Sequence, residues 1–440
     1  MNNLFEKVHE NLPIFKINHG SKMILYTPGY SVELNEIPKG ELKNIFQGIE
    51  KMENSSLKKT LTFILLKSQE VEKKWNDLLN LPFSPECLTI QAGIECNLNC
   101  SYCYSKDVRT NNKKLFGFPD INSIKKIIEF ISHFVKSTEK RLTIVFHGSG
   151  EPTYHWDKLV ESYYSISKIV AEKGLNVFYY IATNGCLNDF QIEWLAKNMD
   201  LIGISCDGPE AIQNKQCYSK KTTFIPINEV CRRILSFNGK FDIRATITKE
   251  SISSLVDITK YFIFDCKATN IRIEPVYLAG DNGFKDEDAE IFFKHFVDAR
   301  NFADQYHVGF NYSGVRLNEL HGPFCESIRN TIRLTTNDVT QNCFCYMYNN
   351  EDFITGSFNN EKIFNLSTEI DEIKKRSFLI PESCSQCINI YHCSRGCPEF
   401  CIFEKETSKS VKLNTFRCRL NQLLAVEVII NSTKNKVYEC

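Results

Sequence analysis

The sequence has no excess of charge of either sign: Lys plus Arg and Asp plus Glu both number 53 among 440 residues. A general nucleic-acid binder carries a basic excess, so no nucleic-acid partner is expected. There is no apolar run near the roughly 18 residues of a membrane span. The clearest runs, Leu61–Leu66 and Val428–Ile430 with its neighbours, are strand- or helix-sized. Met1–Glu10 mixes charges of both signs and lacks a signal-peptide core. Gly and Pro are few, 20 and 13, which excludes collagen-like and low-complexity architectures. A globular protein of two or three domains is expected, in the cytoplasm and without a membrane partner.

What is abundant is cysteine, with 19 residues. A cytosolic chain has no oxidising compartment in which to pair them. Clustered cysteines there read as metal ligands or catalytic groups. Their distribution divides the chain into three zones: 1–86 without Cys, 87–320, and a Cys-rich, irregular 321–440.

The first zone alternates in short runs, Ile14–Asn18, Met23–Thr27 and Ser31–Leu34, with turns at His19-Gly20 and Pro28-Gly29. Two helical stretches follow, Glu41–Met52 and Leu57–Asn80. A small β-hairpin and helix module fits, either as a structural extension or as a docking site for a peptide. The middle zone repeats one unit. Its strands are expected at Leu88–Glu95, Leu142–His147, Val177–Thr183, Leu201–Cys206, Asp242–Thr248 and Ile271–Tyr277. Helices fall between and after them, at Asn122–Val135, Trp156–Glu172, Phe190–Asn198, Asn228–Phe237, Ser253–Phe264 and Glu287–Gln305. Such alternation builds an α/β parallel sheet with right-handed crossovers, and six units make a partial (βα)6 barrel of TIM type. Active sites there gather beyond the C-terminal strand ends. The third zone shows a short strand at Ile332–Thr335 and no long regular pattern before Cys418–Ile430; bound metal would have to help it fold.

The sharpest motif is Cys96-x3-Cys100-x2-Cys103, just after the first strand of the repeat. Three thiolates this close can hold three corners of a [4Fe–4S] cubane, leaving one iron open. The alternative is a zinc site with a distant fourth ligand. Later strand ends carry His147-Gly148-Ser149-Gly150-Glu151-Pro152, Ala182-Thr183-Asn184-Gly185 and Ser205-Cys206-Asp207-Gly208-Pro209. Glycines there would let backbone approach a cofactor, and carboxylates or carbonyls would accept bonds from its amino group. Arg244, on the fifth strand, offers a planar fork for a carboxylate. Cys186, Cys206, Cys231 and Cys266 lie singly in apolar segments and read as buried packing.

These motifs resemble the radical SAM superfamily, whose C-x3-C-x2-C follows strand one of a partial (βα)6 barrel. The resemblance implies that S-adenosylmethionine chelates the open iron and is cleaved to a 5′-deoxyadenosyl radical. It implies contacts to that cofactor from Tyr102, against the adenine, and from Gly148, Gly150, Glu151, Asn184, Ser205, Asp207 and Arg244. Relatives often carry an Arg about a dozen residues beyond the Ser205 position; here Cys217 stands in that region, and Lys215 or Arg244 would have to replace it. Further on, Cys325, Cys343, Cys384-x2-Cys387-x5-Cys393-x3-Cys397 and Cys418 resemble the SPASM extension of these enzymes, with Asp338 at its usual Gly position. A pair of zinc sites is the alternative. Asp can take the left-handed conformation such a turn needs. The resemblance implies one auxiliary [4Fe–4S] cluster on Cys384, Cys387, Cys393 and Cys418. A second would sit on Cys325, Cys343 and Cys397, with Cys345, Cys401 or an open iron completing it, for three clusters in all.

SPASM enzymes mostly modify peptides or protein side chains. The implied function is maturation of a ribosomally made precursor peptide by a thioether or C–C crosslink, with a flavodoxin or ferredoxin as electron donor. Residues 1–86 would hold the leader peptide, 87–320 form the radical SAM barrel, and 321–440 carry the auxiliary clusters. Sulfatase-maturase-like side-chain oxidation is weighed against this: that family places Asp after the second SPASM Cys, and here Cys343 precedes Phe344. Peptide epimerisation, with Cys401 or Cys440 as hydrogen donor, and a non-enzymatic iron–sulfur scaffold complete the alternatives.

Overall fold

The computed structural model describes residues 4–34, 38–103, 105, 116–135, 140–219, 225–276, 283–320, 330–341, 354–368, 370–371, 380, 382–393, 402–403, 411–412 and 415–434. The chain opens with a four-stranded antiparallel sheet, β1 (Glu6–Lys7), β2 (Phe15–His19), β3 (Lys22–Thr27) and β4 (Tyr30–Leu34), in that spatial order. Gly20 and Gly29 take φ of +61° and +83° in its two tight turns, a conformation glycine reaches without a Cβ clash. Helices α1 (Leu42–Gln47) and α2 (Ser56–Asn80) follow; Ser55 caps α2 by accepting the Lys58 amide.

Next come β5 (Cys87–Ile90), β6 (Leu98–Cys100), α3 (Ile121–Ile131), β7 (Leu142–Phe146), α4 (Trp156–Glu172), β8 (Val177–Thr183), α5 (Asp189–Asn198), β9 (Leu201–Ser205), α6 (Glu210–Gln216) and β10 (Cys217–Ser219). They continue with α7 (Ile227–Ser236), β11 (Phe241–Ile247), α8 (Leu255–Phe264), β12 (Asn270–Pro275), α9 (Asp288–Asp304) and β13 (Gly309–Asn311). All six anticipated strand–helix units form, with boundaries shifted by a few residues. The C-terminal part adds β14 (Thr331–Leu334), β15 (Val339–Gln341), β16 (Ile354–Phe358), β17 (Phe364–Leu366) and α10 (Thr415–Lys434).

The main sheet runs β13-β12-β11-β9-β8-β7-β5-β14-β15-β16-β17. From β13 to β14 every pair is parallel; β15, β16 and β17 join antiparallel. β14, expected only as an isolated strand of the Cys-rich zone, lies beside β5 and extends the same sheet. Asp338 sits at the β14–β15 turn with φ +56°, the left-handed conformation anticipated for it.

Alternation along the strands separates two faces. Leu88, Ile90, Leu142, Ile144, Phe146, Ile181, Ile202, Ile204, Ile243, Ile247, Ile271 and Ile273 are all buried in one core with α3 to α5 and α7 to α9. The intervening positions are mostly polar: Thr89, Gln91, Thr143, Tyr180, Ser205, Asp242, Arg244, Thr246, Arg272, Glu274 and Arg333. Helices cannot cover such a face without stranding those groups; on it Thr89, Gln91 and Arg333 are buried, while Ser205 and Arg272 are exposed. The N-terminal sheet is buried on both faces. One packs on α1 and α2 through Ile14, Leu25, Leu61 and Ile64. The other, Phe15, Ile17, Ile24 and Tyr26, meets Ile388, Tyr391, Ala425 and Ile429 of the C-terminal region.

Candidate functional site

The loop after β5 carries Cys96, Cys100 and Cys103, all half-buried. Cys103 N–H donates to the Cys100 carbonyl at 3.2 Å, closing a turn that keeps the two thiols together. Cys96 Sγ accepts the Leu98 amide at 3.4 Å and the Asn184 side-chain amide at 3.5 Å. Donors aimed at sulfur favour a thiolate, the form that binds iron. Among the described residues no three His, Cys, Asp or Glu side chains converge as ligands of one ion. In a cubane each thiolate binds a different iron, so convergence on a point is not what such a site requires.

Neighbouring strand ends hold this loop in place. Gly150 lies so close that a Cβ there would run into the Gly93 and Glu95 carbonyl oxygens, and one at Gly148 would lie 2.9 Å from the Ala92 oxygen. The expectation was that these glycines make room for a cofactor; the space facing their Cα atoms is filled by the cysteine loop itself. Glu151 N–H donates to the Glu95 carbonyl at 2.8 Å. The Glu95 carboxylate accepts His155 Nε2 at 2.7 Å and the Gly117 amide at 2.6 Å.

Glu151 is 3% exposed and its carboxylate faces protein donors: Thr153 N–H and hydroxyl, the Thr183 hydroxyl and Asn184 N–H, at 2.7–3.1 Å. Burial pushes its carboxyl above the usual range while these donors pull it back. Glu151 thus ties the ends of β7 and β8 together, and through Asn184 it orients the amide that meets Cys96. Asp207 does the same one strand on. It is 2% exposed; Oδ1 accepts Thr246 N–H at 2.8 Å, and Oδ2 accepts the Tyr102 hydroxyl at 2.6 Å and Gln216 Nε2 at 2.8 Å. Burial raises both Asp207 and Tyr102. Tyr102, expected against an adenine, therefore has its hydroxyl anchored to Asp207.

Ser205 is exposed at the end of β9 and lies in register beside Arg244 of β11. Arg244 reaches the Tyr180 hydroxyl at 3.4 Å. A side chain at Gly203 would collide with that hydroxyl, so the glycine lets Tyr180 lean across β9. His147, half-buried, is held well below its usual value, first by desolvation and then by Arg244 and Arg333, so it is a neutral imidazole. Lys215 is exposed on α6. Sequence reasoning passed over His147, Tyr180, His155, Glu95, Gln216 and Arg333. Of these Glu95, directly before Cys96, and His147, at the head of the Gly-rich motif, carried a local signal. Cys206, Cys231 and Cys266 are buried in the main core, as expected, whereas Cys186 is half-buried. Cys231 hydrogen-bonds to Cys266, with Cys206 close by, and Cys186 lies close to Cys96 and Cys100.

A second group of thiols lies where the C-terminal turns meet α10. Cys387 accepts the Asn389 backbone amide and the Gln422 side-chain amide, the latter at 3.7 Å; Cys393 accepts the Asn421 amide at 3.6 Å. Burial, then Cys393, raises the Cys387 thiol to about 12. Cys384 neighbours Cys387, and both Cys393 and Cys418 lie near Tyr312. Asn389 is 1% exposed and neither atom of its side-chain amide has a hydrogen-bond partner. Aimed amide donors and a stranded polar group suit a sulfur-ligated inorganic cluster better than a dry core. Cys325, Cys343, Cys345, Cys397, Cys401 and Cys440 lie outside the described residues.

Residues 91–262 match the Radical SAM superfamily model. A cysteine-type anaerobic sulfatase-maturating enzyme of Clostridium novyi (strain NT) is 29% identical over 175 residues, 39% of this chain and 46% of the relative. Another, from Clostridium perfringens (strain ATCC 13124), is 26% identical over 172 residues, 38% and 45% of the two chains. The chain spans about half the length of the curated relatives it matches. Among solved structures, native anSMEcpe with bound AdoMet overlays with a TM-score of 0.63 at 17% identity, covering 80% of this chain and 99% of the other. SuiB of Streptococcus suis bound to precursor peptide SuiA overlays at 0.54 and 14% identity, covering 89% and 96%. Among the described residues no helix is long and apolar enough to cross a membrane. The superfamily match takes in the three-cysteine loop and the strand ends that clasp it, and the α/β fold agrees along most of the chain: residues 91–262 carry a radical SAM superfamily domain.

Proposed function

We propose that the chain is a peptide-modifying radical SAM enzyme that forms a thioether or C–C crosslink, working on the polar face of a partial barrel. The carrying observation is the Cys96–Cys100–Cys103 loop, with amide donors on Cys96, held at the strand ends by Glu151 and Asp207. S-adenosylmethionine bound to a cluster on these thiols would supply a carbon radical able to take hydrogen from an unactivated carbon. Cys96, Cys100 and Cys103 are the ligands; Tyr102, Gly148, Gly150, Glu151, Asn184 and Asp207 position the loop that holds them. Ser205 and Arg244 face the open surface and are left to bind the cofactor's polar end. Cys384, Cys387, Cys393 and Cys418 would hold an auxiliary cluster able to accept an electron, and Cys325, Cys343 and Cys397 would hold another.

A cleft of about 790 Å³ supports a peptide substrate. It lies between the edge strands β4 and β13 and is lined by Tyr30, Phe63, Arg272, Phe310, Tyr312 and Arg316. Unpaired strand edges flanked by aromatic and cationic side chains suit an extended peptide. A second reading, side-chain oxidation of the sulfatase-maturating kind, is favoured by the names of the curated relatives; Phe344 after Cys343 speaks against it.

The test has two parts. Cys100→Ala should abolish release of 5′-deoxyadenosine and lower the iron content, while unchanged release would overturn the cluster assignment. Mass spectrometry of a precursor peptide encoded beside the enzyme should show a loss of about two mass units per crosslink, the mark of a two-electron oxidation. An unchanged mass with one exchanged hydrogen would indicate epimerisation instead.

A further inference from the structure

We propose that Cys217 is a positioning residue of the initiating site, a thiol that hydrogen-bonds to the Cys100 sulfur and sets the reduction potential of the cluster held there; this rests on the cluster reading of the Cys96–Cys103 loop. β10 pairs antiparallel with β6, and Cys217 stands directly opposite Cys100 in that ladder. Ser101 N–H, donating to the Gln216 carbonyl at 2.8 Å, continues the contact. Side chains directly opposite in such a pair project to the same side and meet. Cys217 is 6% exposed, so water does not compete for its S–H.

Three acceptors surround this thiol: Asp207 Oδ2 at 3.4 Å, the Tyr102 hydroxyl at 3.3 Å, and Cys100. Both lone pairs of Asp207 Oδ2 are taken by shorter bonds, from Tyr102 at 2.6 Å and Gln216 at 2.8 Å. The Tyr102 oxygen is neutral. A ligating Cys100 is a thiolate without a proton of its own, so it is the strongest acceptor remaining and the bond is charge-assisted. Hydrogen bonds to ligand sulfurs help set the potential of an iron–sulfur centre. The reduced cluster carries one more negative charge, so a donor stabilises it more than the oxidised form. The S–H of Cys217 therefore raises the potential.

The experiment compares wild type, Cys217→Val and Cys217→Ser as full-length, reconstituted chains. Iron per chain is counted, and reduction is followed by electron paramagnetic resonance at the signal that changes when S-adenosylmethionine is added. Val removes the donor and Ser keeps one. We expect equal iron in all three, a more negative midpoint in Val, with the reduced-to-oxidised ratio at fixed poise roughly three- to tenfold lower, and a midpoint near wild type in Ser. Equal midpoints for Val and wild type at equal iron, or the same shift in Ser as in Val, would overturn the proposal. Failure of the underlying reading looks different: no cofactor-responsive signal in wild type, or one that survives Cys100→Ala.

Discussion

Glu151 shows how a residue chosen for one kind of chemistry serves another. An acidic group after a Gly-rich turn suggests a ligand for a cofactor amine, yet its carboxylate is filled by Thr153, Thr183 and Asn184. A carboxylate is acceptor-only, and that is what four converging donors need. Glu151→Gln keeps the shape but turns one oxygen into a donor. It should leave an N–H or hydroxyl buried without a partner and cost about 2 kcal/mol. Urea unfolding checks this; an unchanged midpoint would mean that the clasp relaxes at no cost. Asn184 then loses its anchor, so iron content should fall as well. The cysteine spacing that pointed to Glu151's neighbourhood was legible because three cysteines within eight residues are held together by the chain alone.

At the scale of elements, α2 couples the N-terminal sheet to the Cys-rich turns. Trp75 is 4% exposed and stacks on Tyr391 at 4.6 Å between ring centroids, while Tyr26 bonds to His392 at 2.9 Å. His392 in turn meets the Glu319 carbonyl at 2.6 Å. Tyr391 and His392 lie between Cys387 and Cys393 in the chain. Removing the indole leaves a cavity, and Trp75→Ala should cost about 3–5 kcal/mol. Limited proteolysis should cut the variant first near Cys384–Cys393, with Trp75→Phe close to wild type. Early cuts elsewhere would argue that the turns stand without α2. Amphipathic spacing showed that α2 has a buried face, but not what it buries against, because period alone carries no partner.

For the whole molecule, the N-terminal module is a structural wall as well as the proposed peptide holder. Deleting residues 1–82 would uncover Ile388, Ile390, Tyr391, Ala425, Val426 and Ile429, which share one core with Phe15, Ile17 and Ile24. Exposed apolar surface of that extent promotes association. The truncated chain should aggregate on size exclusion and bind less iron, with the loss falling on the C-terminal thiols. A monomeric truncation with full iron would show that the wall is dispensable.

The sequence by itself determined the six strand–helix units, because alternation and 3.6-residue periods are local properties. It also determined the three-cysteine loop, through spacing; the left-handed turn at Asp338 was implied only by the resemblance, with Asp tolerating positive φ. Tertiary structure alone decided that β14 extends the parallel sheet, that Gly150 makes room for backbone, that Asp207 anchors Tyr102, and that Cys217 faces Cys100. Each of these joins residues tens to hundreds of positions apart. Such a meeting is fixed by which apolar faces bury together and which polar groups must then find partners, and no stretch of chain records that outcome on its own.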